Sequence, residues 1–125
     1  MDFAHFIGGR WVADSDVTTN RNPANKDDVI GTYARGGAGR VDEAVAAAMA
    51  ALDGWASASP QLRHDVLEKA GALIVERKDE LGRLLAREEG KTIAEAVGET
   101  IRAAQVFKFF AGEALRNIGD SVASV

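Results

Sequence analysis

The 125-residue sequence contains no cysteine. That absence removes disulfides, thiolate nucleophiles and cysteine-ligated zinc or iron–sulfur sites together. Histidine is nearly as scarce. His5 and His64 stand far apart, and neither has a second ligand at metal spacing. Runs of like charge are missing too. Lysine and arginine are scattered among acids, and the net charge is -4 with a pI near 5.1. This speaks against nucleic acid or an anionic membrane as partner, because phosphate binding wants clustered cations. The longest apolar run, AVAAAMAAL from Ala44 to Leu52, is far shorter than the ~20 residues of a membrane span. The N-terminus lacks the basic start and apolar core of a signal peptide, so a cytoplasmic location is expected.

What is present reads as one unit of α+β class, residues 1–125, with strands in residues 1–36 and helices in residues 40–120. Phe6-Ile7, Gly8-Gly9 and Arg10-Trp11-Val12 predict a tight hairpin, since both central residues of a type I′ turn need positive φ. Residues 22–27, NPANKD, form a turn cluster that leads into a third strand, Val29–Ala34, ended by the glycines of GGAG. From Val41 onward, Val41, Val45, Ala48, Met49, Leu52 and Trp55 recur at helical spacing. Asp42 and Glu43 fall in that helix's expected first turn, where the dipole favours acids. Ser59-Pro60 starts a second helix, with serine as cap and proline at the first helical position. Its expected stripe is Leu62, Val66, Ala70, Leu73 and Arg77. Asp79 is the expected cap of a short third helix carrying Leu81, Leu84 and Leu85. The fourth, from Ile93 to Asn117, has the stripe Ile93, Val97, Ile101, Ala104, Phe107 and Ala111, while Val106, Phe109 and Phe110 add apolar bulk on another side. A helix apolar on two faces must be covered on two faces. The last residues, SVASV, read as strand-like.

The chemistry-bearing stretch is EEGKTIAEA, residues 88–96. Its G-K-T ends like a phosphate-binding loop, but that loop needs glycine five residues before Gly90, and Leu85 stands there. As a helix–stop–helix junction nearly every residue is accounted for. Gly90 is a left-handed stop, Thr92-Ile93-Ala94-Glu95 a capping box, and Lys91 a cation at a helix C-terminus. Glu88 and Glu89 alone oppose the dipole. Glu95 and Glu99 share a polar helix face, which gives general acid–base chemistry no cleft. GGAG does not complete G-x-G-x-x-G, and no G-x-S-x-G elbow exists. No catalytic and no cofactor-binding residue is expected in this chain.

Taken in order, FIGGRWV, NPAN followed by VIG, the W-x-x-x-S-x-x-x-R helix start, E-x-G-K and FFAGEA resemble the N-terminal segment of the NAD(P)-dependent aldehyde dehydrogenase superfamily. The wording of EEGKT and FKFFAGEA is most similar to its 2-oxoglutarate-semialdehyde (2,5-dioxovalerate) branch. The resemblance runs from about Phe6 to Asp120. It implies an α/β dehydrogenase fold when complete, NAD or NADP as cofactor of the complete enzyme, and oxidation of an aldehyde through a cysteine thiohemiacetal. In that family the cysteine, the glutamate that activates water and the oxyanion-holding asparagine all lie downstream. A chain without cysteine is therefore inactive by itself. Its implied partners are the remainder of the polypeptide and further copies in a homo-oligomer. The resemblance also implies a structural monovalent cation bound by the carbonyls of Asn20 and Arg21 and by Glu99, where the family usually has aspartate. A second reading stays open: a stand-alone helical interaction module without catalysis. In either case the two-sided fourth helix predicts that the isolated chain self-associates.

Overall fold

The computed structural model describes residues 2–116 and residue 119. Five strands precede four helices: β1 (Asp2–Phe3), β2 (His5–Ile7), β3 (Arg10–Val12), β4 (Val17–Asn22), β5 (Asn25–Ala34), α1 (Ala38–Ala56), α2 (Pro60–Glu76), α3 (Lys78–Glu89) and α4 (Ile93–Ala114). The class is α+β, as expected. The strand-like SVASV run lies outside the described residues, as does Asn117.

The hairpin β2–β3 forms as its glycines require. Gly8 and Gly9 take φ of 56° and 78°, and Phe6 faces Trp11 with ring centroids 4.9 Å apart. The other sheet has the order β1-β5-β4, with β1 parallel and β4 antiparallel to β5. β4 was not expected. Its sequence, VTTNRN, has no apolar alternation, and its residues are mostly exposed. It is a strand because its backbone pairs antiparallel with β5, the next strand across a two-residue turn. The NPAN turn is tighter than the expected cluster: Asn22 pairs with Asn25, and the Asn22 Oδ1 accepts from the Ala24 N–H at 2.9 Å. β5 thus starts four residues before Val29.

Among the helices, Ser59 caps α2 by accepting from the Leu62 N–H at 3.1 Å, with Pro60 at the first position. α1 begins at Ala38, so Asp42 and Glu43 fall beyond its first turn. Asp79 does not cap α3. Arg77 occupies the link, with its N–H on the Leu73 carbonyl and its own carbonyl taken by the Leu81 N–H, so α2 runs almost directly into α3. Asp79 sits inside the first turn, where the dipole still favours it.

The interior is made of small side chains. Ala96, Ala104 and Ala111 of α4 are at most 1% exposed, with Thr100 between them. This row lets α2 and α3 approach the α4 backbone closely. Gly71 of α2 passes the Ala104 carbonyl, and Gly82 of α3 passes Val97. Close approach overrides the expected stripes. Leu62, Val66 and Leu73 lie on the outer side of α2, while His64, Leu67 and Gly71 face inward. His64 Nδ1 lies 2.9 Å from the Ala111 carbonyl, across the α2–α4 seam. Ile93 and Phe107, assigned to the buried stripe of α4, remain exposed. α1 buries none of its residues. The second apolar face of α4 is uncovered too, with Phe109 62% and Phe110 55% exposed.

Candidate functional site at the α3–α4 junction

Gly90 ends α3 with φ 70°, and its N–H donates to the Ala86 carbonyl at 2.9 Å. A Cβ there would stand 2.9 Å from Pro23 Cγ and 3.2 Å from the Ala24 nitrogen. The glycine is needed twice, for its backbone conformation and for contact with the β4–β5 turn. Thr92 and Glu95 complete the expected capping box: the Thr92 hydroxyl accepts from the Glu95 N–H at 3.3 Å, and Glu95 Oε2 accepts from the Thr92 N–H at 3.2 Å. The bonds from Thr92 hold the Glu95 carboxyl below its ordinary value.

Of the two acids that opposed the dipole, Glu88 has its partners on other elements. Glu88 Oε1 accepts from Asn20 Nδ2 at 3.2 Å and from the Tyr33 hydroxyl at 3.1 Å. Phe3 stacks on the Tyr33 ring at 4.5 Å, and burial, then the bond to Glu88, raises the phenol's pKa. Next to it, Arg87 grips Asp28 with Nε at 3.0 Å and Nη2 at 2.6 Å, while Asn22 Nδ2 donates to the same carboxylate. Such a fork is geometrically specific. The Arg87 bonds, then the Asn22 bond, hold the Asp28 carboxyl down to about 2. Glu89 and Glu99 flank Lys91, with Nζ at 2.5 and 2.6 Å. The Glu89 bond and then the Glu99 bond raise the lysine's pKa. The junction is a polar clip joining the β4–β5 sheet to two helices.

Its chemistry is accordingly restricted. A phosphate cradle needs free N–H groups and a free cation. Here the Gly90 and Thr92 amides are occupied, and Lys91 is neutralised by two carboxylates. These residues do not fit a dinucleotide phosphate. A cavity of about 440 Å³ lies between α2, α3 and α4, lined by Ile74, Leu81, Leu84, Leu85, Glu88, Glu99, Thr100 and Ala103. The Thr100 hydroxyl donates to the Ala96 carbonyl, so no nucleophile with an adjacent base lines the cavity.

The three cation candidates are placed as follows. Asn20 reaches Glu88, and Glu88 shares the cavity with Glu99. The β4–β5 register shifts on either side of Arg21, yet Asn20 and Arg21 both keep ladder partners, Gly31 and Val29, and the extra residues lie on β5. The Arg21 side chain turns away along the hairpin, donating to the Lys26 carbonyl at 3.0 Å. Among the described residues there is no group of three His, Cys, Asp or Glu side chains that could hold a metal. Glu88 is the site member that sequence reasoning missed. Its unfavourable place on the helix dipole was the available signal.

Residues 11–124 match the Aldehyde dehydrogenase family. The chain is 38% identical to the alpha-ketoglutarate semialdehyde dehydrogenase of Haloferax volcanii over 88% of its own length and 23% of that protein. It is likewise 38% identical to the glutarate-semialdehyde dehydrogenase of Pseudomonas putida, covering 94% of this chain and 25% of that one. Among solved structures it superposes on the 1-pyrroline-5-carboxylate dehydrogenase of Thermus with bound NAD at a TM-score of 0.92 and 32% identity, over 99% of this chain and 24% of that one. The chain belongs to the aldehyde dehydrogenase family. It spans about a quarter of the length of these relatives.

Proposed function

We propose that this chain serves as the N-terminal scaffold of an NAD(P)-dependent aldehyde dehydrogenase that oxidises a carboxylate-bearing aldehyde, 2-oxoglutarate semialdehyde foremost, to the acid. The observation that carries this reading is the superposition of 99% of the chain on a quarter of an NAD-bound dehydrogenase. The two relatives named for semialdehydes of dicarboxylic acids support the substrate class. The chain's own part is structural. With no cysteine it offers no thiolate for a thiohemiacetal. Its clip fixes two helices to a sheet, and its uncovered apolar faces on α1 and α4 take their cover from the rest of the dehydrogenase or from further copies. NAD or NADP supplies the hydride acceptor to the complete enzyme.

The same reading assigns a monovalent cation to the Asn20 and Arg21 carbonyls and to Glu99. The donors are all oxygen, which suits a hard cation. Lys91 already holds Glu99, so the cation has to displace an ammonium of equal charge. Thermal unfolding in KCl or NaCl against choline chloride tests it. A melting temperature unchanged by the cation sinks the assignment.

The exposed stripe of α1 favours a second reading, a helical module that docks on another protein. The intact mass of the native gene product separates the two. A mass well above 13.2 kDa, with NAD(P)H formed from 2-oxoglutarate semialdehyde faster than from glutarate semialdehyde, supports the dehydrogenase and its substrate. A native mass of 13.2 kDa overturns it in favour of the module.

A further inference from the structure

Lys91 is the most buried of three charged side chains that meet at the α3–α4 junction, 18% exposed against 50% for Glu89 and 56% for Glu99. Its backbone is held from both sides, by the left-handed stop at Gly90 and by the Thr92–Glu95 capping box. From that fixed base Nζ reaches Glu89, at the end of α3, at 2.5 Å and Glu99, two turns into α4, at 2.6 Å. Arg87, the other cation of this stretch, is committed to Asp28. An ammonium is a compact point charge on a flexible stem, without the rigid fork of a guanidinium. Lys91 can therefore leave one carboxylate and keep the other. Glu99 is also the only charged donor of the proposed cation site, since the others are backbone carbonyls. All three donors are oxygens, which fits a hard cation, and the charge that would draw it in is the one Lys91 now neutralises.

We propose that Lys91 gates the cation site: its ammonium occupies Glu99, yields that carboxylate to a monovalent cation, and is then held by Glu89 alone. The inference rests on the cation assignment made above and not on the choice of aldehyde. It gives Glu89, an acid that opposes the dipole of α3, a purpose as the partner that receives the displaced charge. While Lys91 holds Glu99, only a fraction of the molecules can take the cation, and the apparent affinity falls by that fraction. For a partly exposed ion pair the reduction is about two- to fivefold.

Thermal unfolding of the full 125-residue chain, followed by circular dichroism at matched protein concentration, tests it. KCl replaces choline chloride at constant total salt, so that screening does not change. The readout is the KCl concentration that gives half of the rise in melting temperature. Lys91→Met should lower this midpoint about two- to fivefold. Glu89→Gln leaves the ammonium no second partner and should raise it. Lys78→Met removes the same charge from a pair with Asp79 at the other end of α3 and should leave the midpoint at the parent's value. If Lys91→Met loses helix content, Glu89→Gln carries the test. A parent that does not respond to KCl sinks the cation assignment and the gate with it. A responding parent leaves the assignment standing, and the gate alone is overturned if Lys91→Met keeps the parent's midpoint, if Lys78→Met shifts it as far, or if Glu89→Gln fails to raise it.

Discussion

Gly82 and Gly98 are both helical glycines, yet replacing each with alanine should move stability in opposite directions. Gly82 is buried where α3 crosses α4. An added Cβ would lie 2.5 Å from Val97 Cγ2, 3.0 Å from Val97 Cα and 3.1 Å from its nitrogen. A rotation of the valine side chain relieves the first contact. The other two are to backbone, so the helices themselves must separate. Overpacking of this kind costs about 1–3 kcal/mol. Alanine's better helix propensity returns about 1 kcal/mol, leaving a net loss of up to about 2 kcal/mol. At Gly98 a Cβ meets nothing within 4 Å, so the propensity gain of roughly 0.5–1 kcal/mol stands alone. For a chain of this size 1 kcal/mol is worth about 4 °C. Gly82→Ala should melt lower than the parent, by up to about 8 °C, and Gly98→Ala about 2–4 °C higher. Thermal unfolding followed by circular dichroism at matched protein concentration decides. If Gly82→Ala is stabilised as Gly98→Ala is, the close crossing is wrong.

Three further outcomes follow from the same geometry. Gly90→Ala should destabilise by about 1–2 kcal/mol from the left-handed backbone alone, with the Pro23 contact added; a urea midpoint equal to the parent's would remove both reasons. Asp28 is held at about 2 against an ordinary 3.8. A lowered folded-state pKa means that its contribution is present above about pH 4 and is lost as pH falls towards 2; Asp28→Asn should flatten that part of the stability–pH curve, and an unaltered curve would show that the Arg87 fork is not formed. With Phe109 and Phe110 more than half exposed, the isolated chain should scatter light as an oligomer and bind a hydrophobic dye. A monodisperse monomer that binds no dye would contradict it.

How much was legible in advance depended on how local the cause was. The β2–β3 hairpin follows from Gly8-Gly9, the start of α2 from Ser59-Pro60, and the α3–α4 junction from Gly90 with the Thr92–Glu95 box. In each case a few neighbouring residues supply both the constraint and the hydrogen bond. The motif order, from FIGGRWV to FFAGEA, was enough to reach the family. β4 was not legible, since VTTNRN becomes a strand only by pairing with β5. Nor was the inward face of α2, because glycine and alanine carry no hydrophobic signal, although their small size is what lets helices touch. The partners of Glu88 were hidden for a related reason: Asn20 lies 68 residues from it. Local chemistry, written in consecutive residues, thus determined the β2–β3 turn, the start of α2, the α3–α4 junction and which family the chain joins. Which faces meet, and what the junction acids hold, depended on backbone approach distances that arise only once distant segments are packed together.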